Sequence, residues 1–335
     1  MIFIEKLTYM ISERIIKFTE IFGFTPTYSQ SITRLKGLGI LLMILGHCRS
    51  LPSNLCNCIY SFHMPLFFIC SGLFFKEKDL RELTTNLAKK LISPYVFYGL
   101  LTIGICLLVS SPEIVKSRIE GFIFGNGSPL YYPIFDIKFG LIGPVWFLMA
   151  LFWCRIIYNF LHQRFKHTFL VSIIIGVIAI IIGRKVMVLP LSFLEGCSAL
   201  VFYAIGDNLR SFDRICLSKI GWGISIVLFL FCCRFSSLRM SEFWYTLYPL
   251  DVVAAVIGTY FCYLFCKSIK NRQLTSVLDW FGRNSLMILC IHQLMLNIQN
   301  LLPFANISGW IAIAYNFIIS ILVVISTNNF KTSRL

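Results

Sequence analysis

A chain of 335 residues that is 57% hydrophobic and only 13% charged is too apolar to be a water-soluble domain of its size. It reads as an all-α, polytopic integral membrane protein. The formal net charge of +15 does not point to nucleic acid, because its Lys and Arg gather on one side of the predicted spans, the bias that membrane insertion imposes.

Taken in chain order, residues 1–31 place Ile4, Leu7, Ile11, Ile15, Phe18 and Phe22 at helical spacing. This predicts an amphipathic segment on the membrane surface, although a partly ordered tail fits the same residues. Acids among the bases and the lack of a cleavage site argue against a secretory leader. Residues 32–335 read as one transmembrane domain of about ten helices. The expected spans are 35–51, 58–75, 92–110, 143–161, 168–183, 189–206, 219–233, 250–266, 284–302 and 309–326, each close to the length a helix needs to cross hydrocarbon. With the N-terminus in the cytoplasm, most Lys and Arg fall on that side, and both termini lie there. The stretch 111–142 reads as the longest outer loop. No internal repeat or low-complexity segment interrupts the chain.

The 13 cysteines sit mostly inside apolar blocks, as Cys70, Cys106, Cys232 and Cys290 do, where small packing groups are expected. Cys56 and Cys58 supply too few ligands for a metal, and none is expected.

A charge at the bilayer centre costs at least about 2.5 kcal/mol, so ionisable residues inside spans mark function. They are few. In the first span Lys36 and His47 lie about 16 Å apart along a helix. The second, "CIYSFHMPLFFICSGLFFK", carries His63, Ser71, Gly72 and Pro65, the last expected to kink the helix. Glu195 lies in the sixth span and His292 in the ninth. Three imidazoles and a carboxylate converging from four spans are the material of a buried catalytic site. Interhelical hydrogen bonding is the favoured account of His63 or His292 taken singly, and packing accounts equally well for Ser71 and Gly72.

"RLKGLGILLMILGH" followed closely by "FHMPLFFICSGLFFK" resembles the opening of the membrane-bound acyltransferase-3 family. The family's basic residue, ten positions, then His is matched by Lys36 and His47. Its Phe-x-x-Phe-x-x-Ser-Gly is matched at Phe68, Ser71 and Gly72, with Pro65 in place of the first Phe. "KKLISPYVFYGLL", "GPVWFLMALF", "FYAIGDNL" and "FGRNSLMILCIH" continue the likeness over nearly the whole chain. It looks closest to the fucose 4-O-acetylase-like and nodulation-factor O-acetyltransferase branch.

The resemblance implies an O-acetyltransferase of the bacterial cytoplasmic membrane, with acetyl-CoA or another acyl-CoA as donor substrate and no bound cofactor. The acceptor would be a hydroxyl of a surface glycan or lipid-linked sugar, and an oligomer is compatible with it. His47 would be the general base, since a neutral imidazole suits deprotonation of a sugar hydroxyl. Glu195 would orient the ring or bind acceptor, with His63, His292 and Ser71 as further catalytic candidates. Candidates for the coenzyme's phosphates are Arg34, Lys36, Lys89, Lys90 and Arg155. Trp146 reads as an interfacial anchor, while the family places its Trp-Phe-Leu motif beside the site; Glu242 and Asp251 are expected to face the acceptor. The rival reading is a secondary transporter or flippase for a glycan or lipid-linked saccharide. Such folds often carry inverted repeats and matched helix interruptions, and neither is found in the sequence.

Overall fold

The apolar blocks fold as helices. The computed structural model describes residues 28–47, 51–215, 217–299 and 318. Its helices are α1 Tyr28–Gly46, α2 Ser53–Tyr60, α3 His63–Gly72, α4 Leu80–Leu87, a π-helical turn Ala88–Ile92, α5 Ser93–Val109, α6 Pro112–Phe124 and α7 Trp146–Arg164. They continue with α8 Thr168–Lys185, α9 Phe193–Ser198, α10 Leu200–Leu209, α11 Lys219–Phe235, α12 Leu250–Ser268, α13 Arg272–Arg283 and α14 Ser285–Gln299. Two antiparallel hairpins join them, β1 Leu130–Tyr132 with β2 Ile137–Phe139 and β3 Leu238–Arg239 with β4 Trp244–Tyr245. Helix therefore occupies nine of the ten expected spans; the tenth, 309–326, and the expected surface segment up to residue 27 lie outside the described residues.

Among the described residues, four stretches are long and apolar enough to cross a membrane: Ser53–Gly72, Leu80–Leu108, Thr168–Lys185 and Leu250–Ser268. Leu107, Leu108, Ile174, Ile178, Ile181 and Val227 point outward and are exposed. Water rejects a continuous surface of that kind and lipid accepts it.

The helices differ from the expected spans in instructive ways. The first begins at Tyr28 and ends at Gly46, so His47 stands at its terminus. The second is two helices, broken at Ser61–Phe62 and not at Pro65. Pro65 is the third residue of α3, where no intrahelical N–H bond is due and the ring costs little. The sixth is also broken: Leu191 and Ser192 adopt left-handed backbone, φ 58 and 52, before α9, and α10 follows Ala199. The expected loop 111–142 holds α6, which starts at Ser111-Pro112-Glu113 and stops at Gly125 with φ 74. Pro at the first helical position, acid in the first turn and a left-handed glycine at the end are ordinary boundary signals.

Packing centres on α1, which α3, α12, α13 and α14 surround. At the crossing of α1 with α13, a Cβ on Gly37 would stand 2.1 Å from the Leu278 carbonyl oxygen, and one on Gly282 would strike the Thr33 carbonyl. At the crossing of α3 with α10, a Cβ on Gly72 would stand 2.1 Å from the Tyr203 carbonyl and one on Gly206 would stand 2.2 Å from that of Ile69. Only glycine lets the backbones approach so closely. Arg34 of α1 clamps Asp279 of α13 side-on, with N–O distances of 3.2 and 3.4 Å.

Candidate active site

At the His47 end of the bundle lies a cavity of about 150 Å³. His47 and Met43 from α1, Tyr60 from α2, and His63 and Met64 from α3 form one side. Trp146 of α7 and the two loops carrying Gly127–Ser128 and Arg239–Glu242 form the other.

The histidines are prepared alike. Nδ1 of His47 lies 2.8 Å from the Met43 carbonyl oxygen, and Nδ1 of His63 lies 2.9 Å from that of Ile59. A carbonyl oxygen only accepts, so these bonds assign the proton to Nδ1 in both rings and leave Nε2 with a free lone pair. The partner is four residues back in each case, so each ring is held by the turn that carries it. Tyr60 stands edge-on to His63 with centroids 4.9 Å apart and lies 6.3 Å from His47. His292 of α14 stands edge-on to His47 at 5.2 Å. Among the described residues, no three His, Cys, Asp or Glu side chains are placed to hold a metal.

Trp146 is 6% exposed and walls the cavity, so it is no interfacial anchor. The rim on the same side comes from the β3–β4 hairpin. Arg239 pairs with Glu242 at 3.6 Å and lies over the Tyr60 ring at 5.9 Å, while Ser241 meets Ser128 of the facing loop at 3.2 Å. Glu242 thus lines the cavity. Asp251 does not: it is buried and accepts from the Ser236 hydroxyl and from the Leu247 N–H at 2.8 Å, which fixes the turn entering α12.

His47 is the eleventh residue after Lys36, three turns on, which brings both to nearly the same face of α1, about 16 Å apart. At that depth α3 presents Cys70, close enough to Lys36 for electrostatic contact. Tyr203 on α10 lies within electrostatic reach of Ser71 and Arg155, and the Arg155 Nε is buried without a hydrogen-bond partner among the described residues. Lys36 on α1 and Arg155 on α7 thus place two cations two to three turns below the cavity, near the Cys70–Ser71 end of α3. Arg34 is committed to Asp279; Lys89 and Lys90 are exposed on the π-helical turn, which packs on α7.

Aromatic rings close the space between the cavity and these cations. Phe147 of α7 stands edge-on to Phe68 at 5.0 Å and to Phe67 at 5.7 Å. The tip of the Phe67 ring lies 3.2 Å from where a Cβ on Gly39 of α1 would be, which bridges the three helices.

Glu195 is brought to none of this. It sits on α9 behind the cavity wall, wholly buried, and neither carboxylate oxygen has a hydrogen-bond partner among the described residues. Tyr95, Tyr132 and Tyr245 are its electrostatic neighbours. The bend before it is pinned by the Ser192 hydroxyl, 2.6 Å from the Gly125 carbonyl and 3.2 Å from that of Trp146.

The family model for the acyltransferase-3 acyltransferase domain matches residues 29–327. The chain belongs to the acyltransferase-3 family. No curated protein and no solved structure matches it significantly. As a member of this membrane family it is an acyl-transfer enzyme, and the matched region contains both the cavity and the two cations below it. Sequence reasoning on this acyltransferase missed Tyr60, Arg239, Ser128 and Ser241. Only the Gly125-Asn126-Gly127-Ser128 turn signal gave a hint of the facing loop, and nothing local announces that it meets the β3–β4 hairpin.

Proposed function

We propose that this membrane acyltransferase moves an acetyl or similar acyl group from acyl-CoA to a hydroxyl of a surface glycan or lipid-linked sugar, with His47 as general base. The observation that carries the reading is the His47 ring on the cavity wall, its Nδ1 committed to Met43 and its Nε2 free, in line along α1 with a cation three turns away. The fucose 4-O-acetylase-like and nodulation-factor branch fits the motif details best.

The coenzyme's phosphates rest on Lys36, Arg155 and the exposed Lys89 and Lys90. That end faces the cytoplasm of a bacterial inner membrane, by the excess of Lys and Arg, with about ten spans and both termini inside. The long thioester arm is about as long as the 16 Å rise to His47 and reaches the acyl carbonyl up to the ring once the Phe67, Phe68 and Phe147 layer parts. In the cavity the acceptor hydroxyl, too weak an acid to ionise alone, gives its proton to Nε2 as its oxygen attacks the carbonyl carbon. The carbon–sulfur bond then breaks, and the proton passes to the departing thiolate sulfur. Arg239 and Glu242 at the rim, with Trp146 and Tyr60 behind, hold the acceptor.

The test compares surface glycans of strains carrying the wild type, the deletion and His47→Ala by mass spectrometry. Loss of the acetyl mass increment in both altered strains supports the reading. Full acylation with His47→Ala removes the base role, and glycans that move across the membrane unmodified in every strain favour a flippase.

A further inference from the structure

His292 presents a physical puzzle. Its side chain has no exposed surface, and neither ring nitrogen has a hydrogen-bond partner among the described residues. An imidazole held dry loses the water bonds it had in the unfolded chain, and among the described residues this one regains none, a cost that an apolar side chain of similar size avoids. Its ring neighbour is His47, at 5.2 Å and 64°. One turn earlier on α14, Leu289 lines the cavity, so this face of the helix backs the site directly. His47 has spent its Nδ1 proton on the Met43 carbonyl, and that bond alone fixes its ring to its own helix.

We propose that His292 is a positioning residue for His47, whose unmet nitrogen turns to the His47 ring when that ring becomes positively charged. It rests on the reading of His47 as general base. With both rings neutral, His292 gains nothing from its neighbour; when His47 carries the acceptor's proton, a ring whose centroid lies 5.2 Å away can turn a lone-pair nitrogen toward a cation in a dry site. The interaction is thus stronger in the transition state than in the ground state, the only kind that raises kcat. His292 gains and loses no proton in the cycle. The proton leaves the acceptor oxygen for Nε2 of His47 as the carbon–oxygen bond forms, and leaves Nε2 for sulfur as the carbon–sulfur bond breaks.

The experiment uses full-length protein in native membranes with acetyl-CoA as probe, reading released CoA thiol above that of membranes lacking the protein. Wild type, His47→Ala, His292→Phe, His292→Asn and His292→Gln are compared for kcat, for KM of acetyl-CoA and for thermal unfolding. His292→Phe lowers kcat about tenfold or more at unchanged KM, because a ring of similar shape without nitrogens keeps the packing and loses the polarity. Asn or Gln, which return a lone pair near the Nδ1 or Nε2 position, restores kcat to within a few-fold of wild type. Wild-type kcat in His292→Phe overturns the proposal, as does an equal loss in Phe, Asn and Gln variants. If His47→Ala releases thiol as fast as wild type, the general-base reading fails and takes this proposal with it. If His47→Ala is inactive while His292→Phe is unimpaired, only the positioning role falls.

Discussion

Phe147→Leu tests the aromatic layer that separates the cavity from the two cations below it. Phe147 is 4% exposed and makes two edge-on ring contacts, with Phe68 at 5.0 Å and with Phe67 at 5.7 Å. Each such pair contributes about 0.5–1.5 kcal/mol beyond area burial, so leucine, which keeps most of the apolar bulk, removes about 1–3 kcal/mol from the closed state. If the thioester arm enters only when these rings part, the competent fraction rises by the same free energy, about 5- to 150-fold. The apparent KM for acetyl-CoA then falls by up to that factor, while the thermal unfolding temperature drops. Thiol release by membranes holding each variant gives KM, and melting in detergent gives stability. A lower melting temperature with an unchanged KM would refute the reasoning: the rings would be ordinary core, and the donor would reach His47 by another way.

His47→Asn retains a donor near the Nδ1 position for the Met43 carbonyl but removes the basic nitrogen. Its kcat is expected to fall by about 10²- to 10⁴-fold with thermal unfolding close to wild type, as steady-state thiol release and melting will report. Glu195→Gln removes a buried carboxyl whose oxygens have no partner among the described residues, and since Glu195 does not line the cavity, transfer should stay within a few-fold of wild type and stability should hold or rise; a large loss measured in the same assay would return Glu195 to the site. Gly72→Ala drives a methyl to 2.1 Å from the Tyr203 carbonyl and should destabilise by about 1–3 kcal/mol or more, whereas Gly104→Ala, with nothing within 4 Å, should melt like wild type.

What could be read in the sequence follows the range over which each signal acts. Hydropathy is local, and it placed helix in every described span. The spacing from Lys36 to His47 is also local, since three turns of one helix fix the distance. The gathering of His47, His63 and His292 at one end required only that their spans lie side by side. The break at Ser61–Phe62 was hidden because Pro65 drew attention to itself, although a proline in a first turn disturbs nothing. The helices α6 and α13 carried legible boundary signals, Ser111-Pro112-Glu113 with Gly125 and Asn271 accepting from the Leu274 N–H at 3.0 Å, but a search for long apolar runs passes over them. The seat of Glu195 behind the cavity wall depends on the left-handed pair Leu191–Ser192, which no residue preference announces. Arg239, Ser241 and Ser128 meet across two loops far apart in the chain, a pairing that only the folded bundle sets.

The Phe67, Phe68 and Phe147 layer also bears on how well the membrane holds its ion gradients. An enzyme that takes its donor from one face and serves an acceptor at the other would, with a continuous wet channel, short-circuit the proton gradient that the membrane maintains. Benzene rings packed edge to face offer water no hydrogen-bonding groups, and an ion would have to shed its hydration shell to pass them. If a thin, uncharged arm parts the rings on entry, as proposed above, it fills the gap it opens, and the acyl group passes with no such leak.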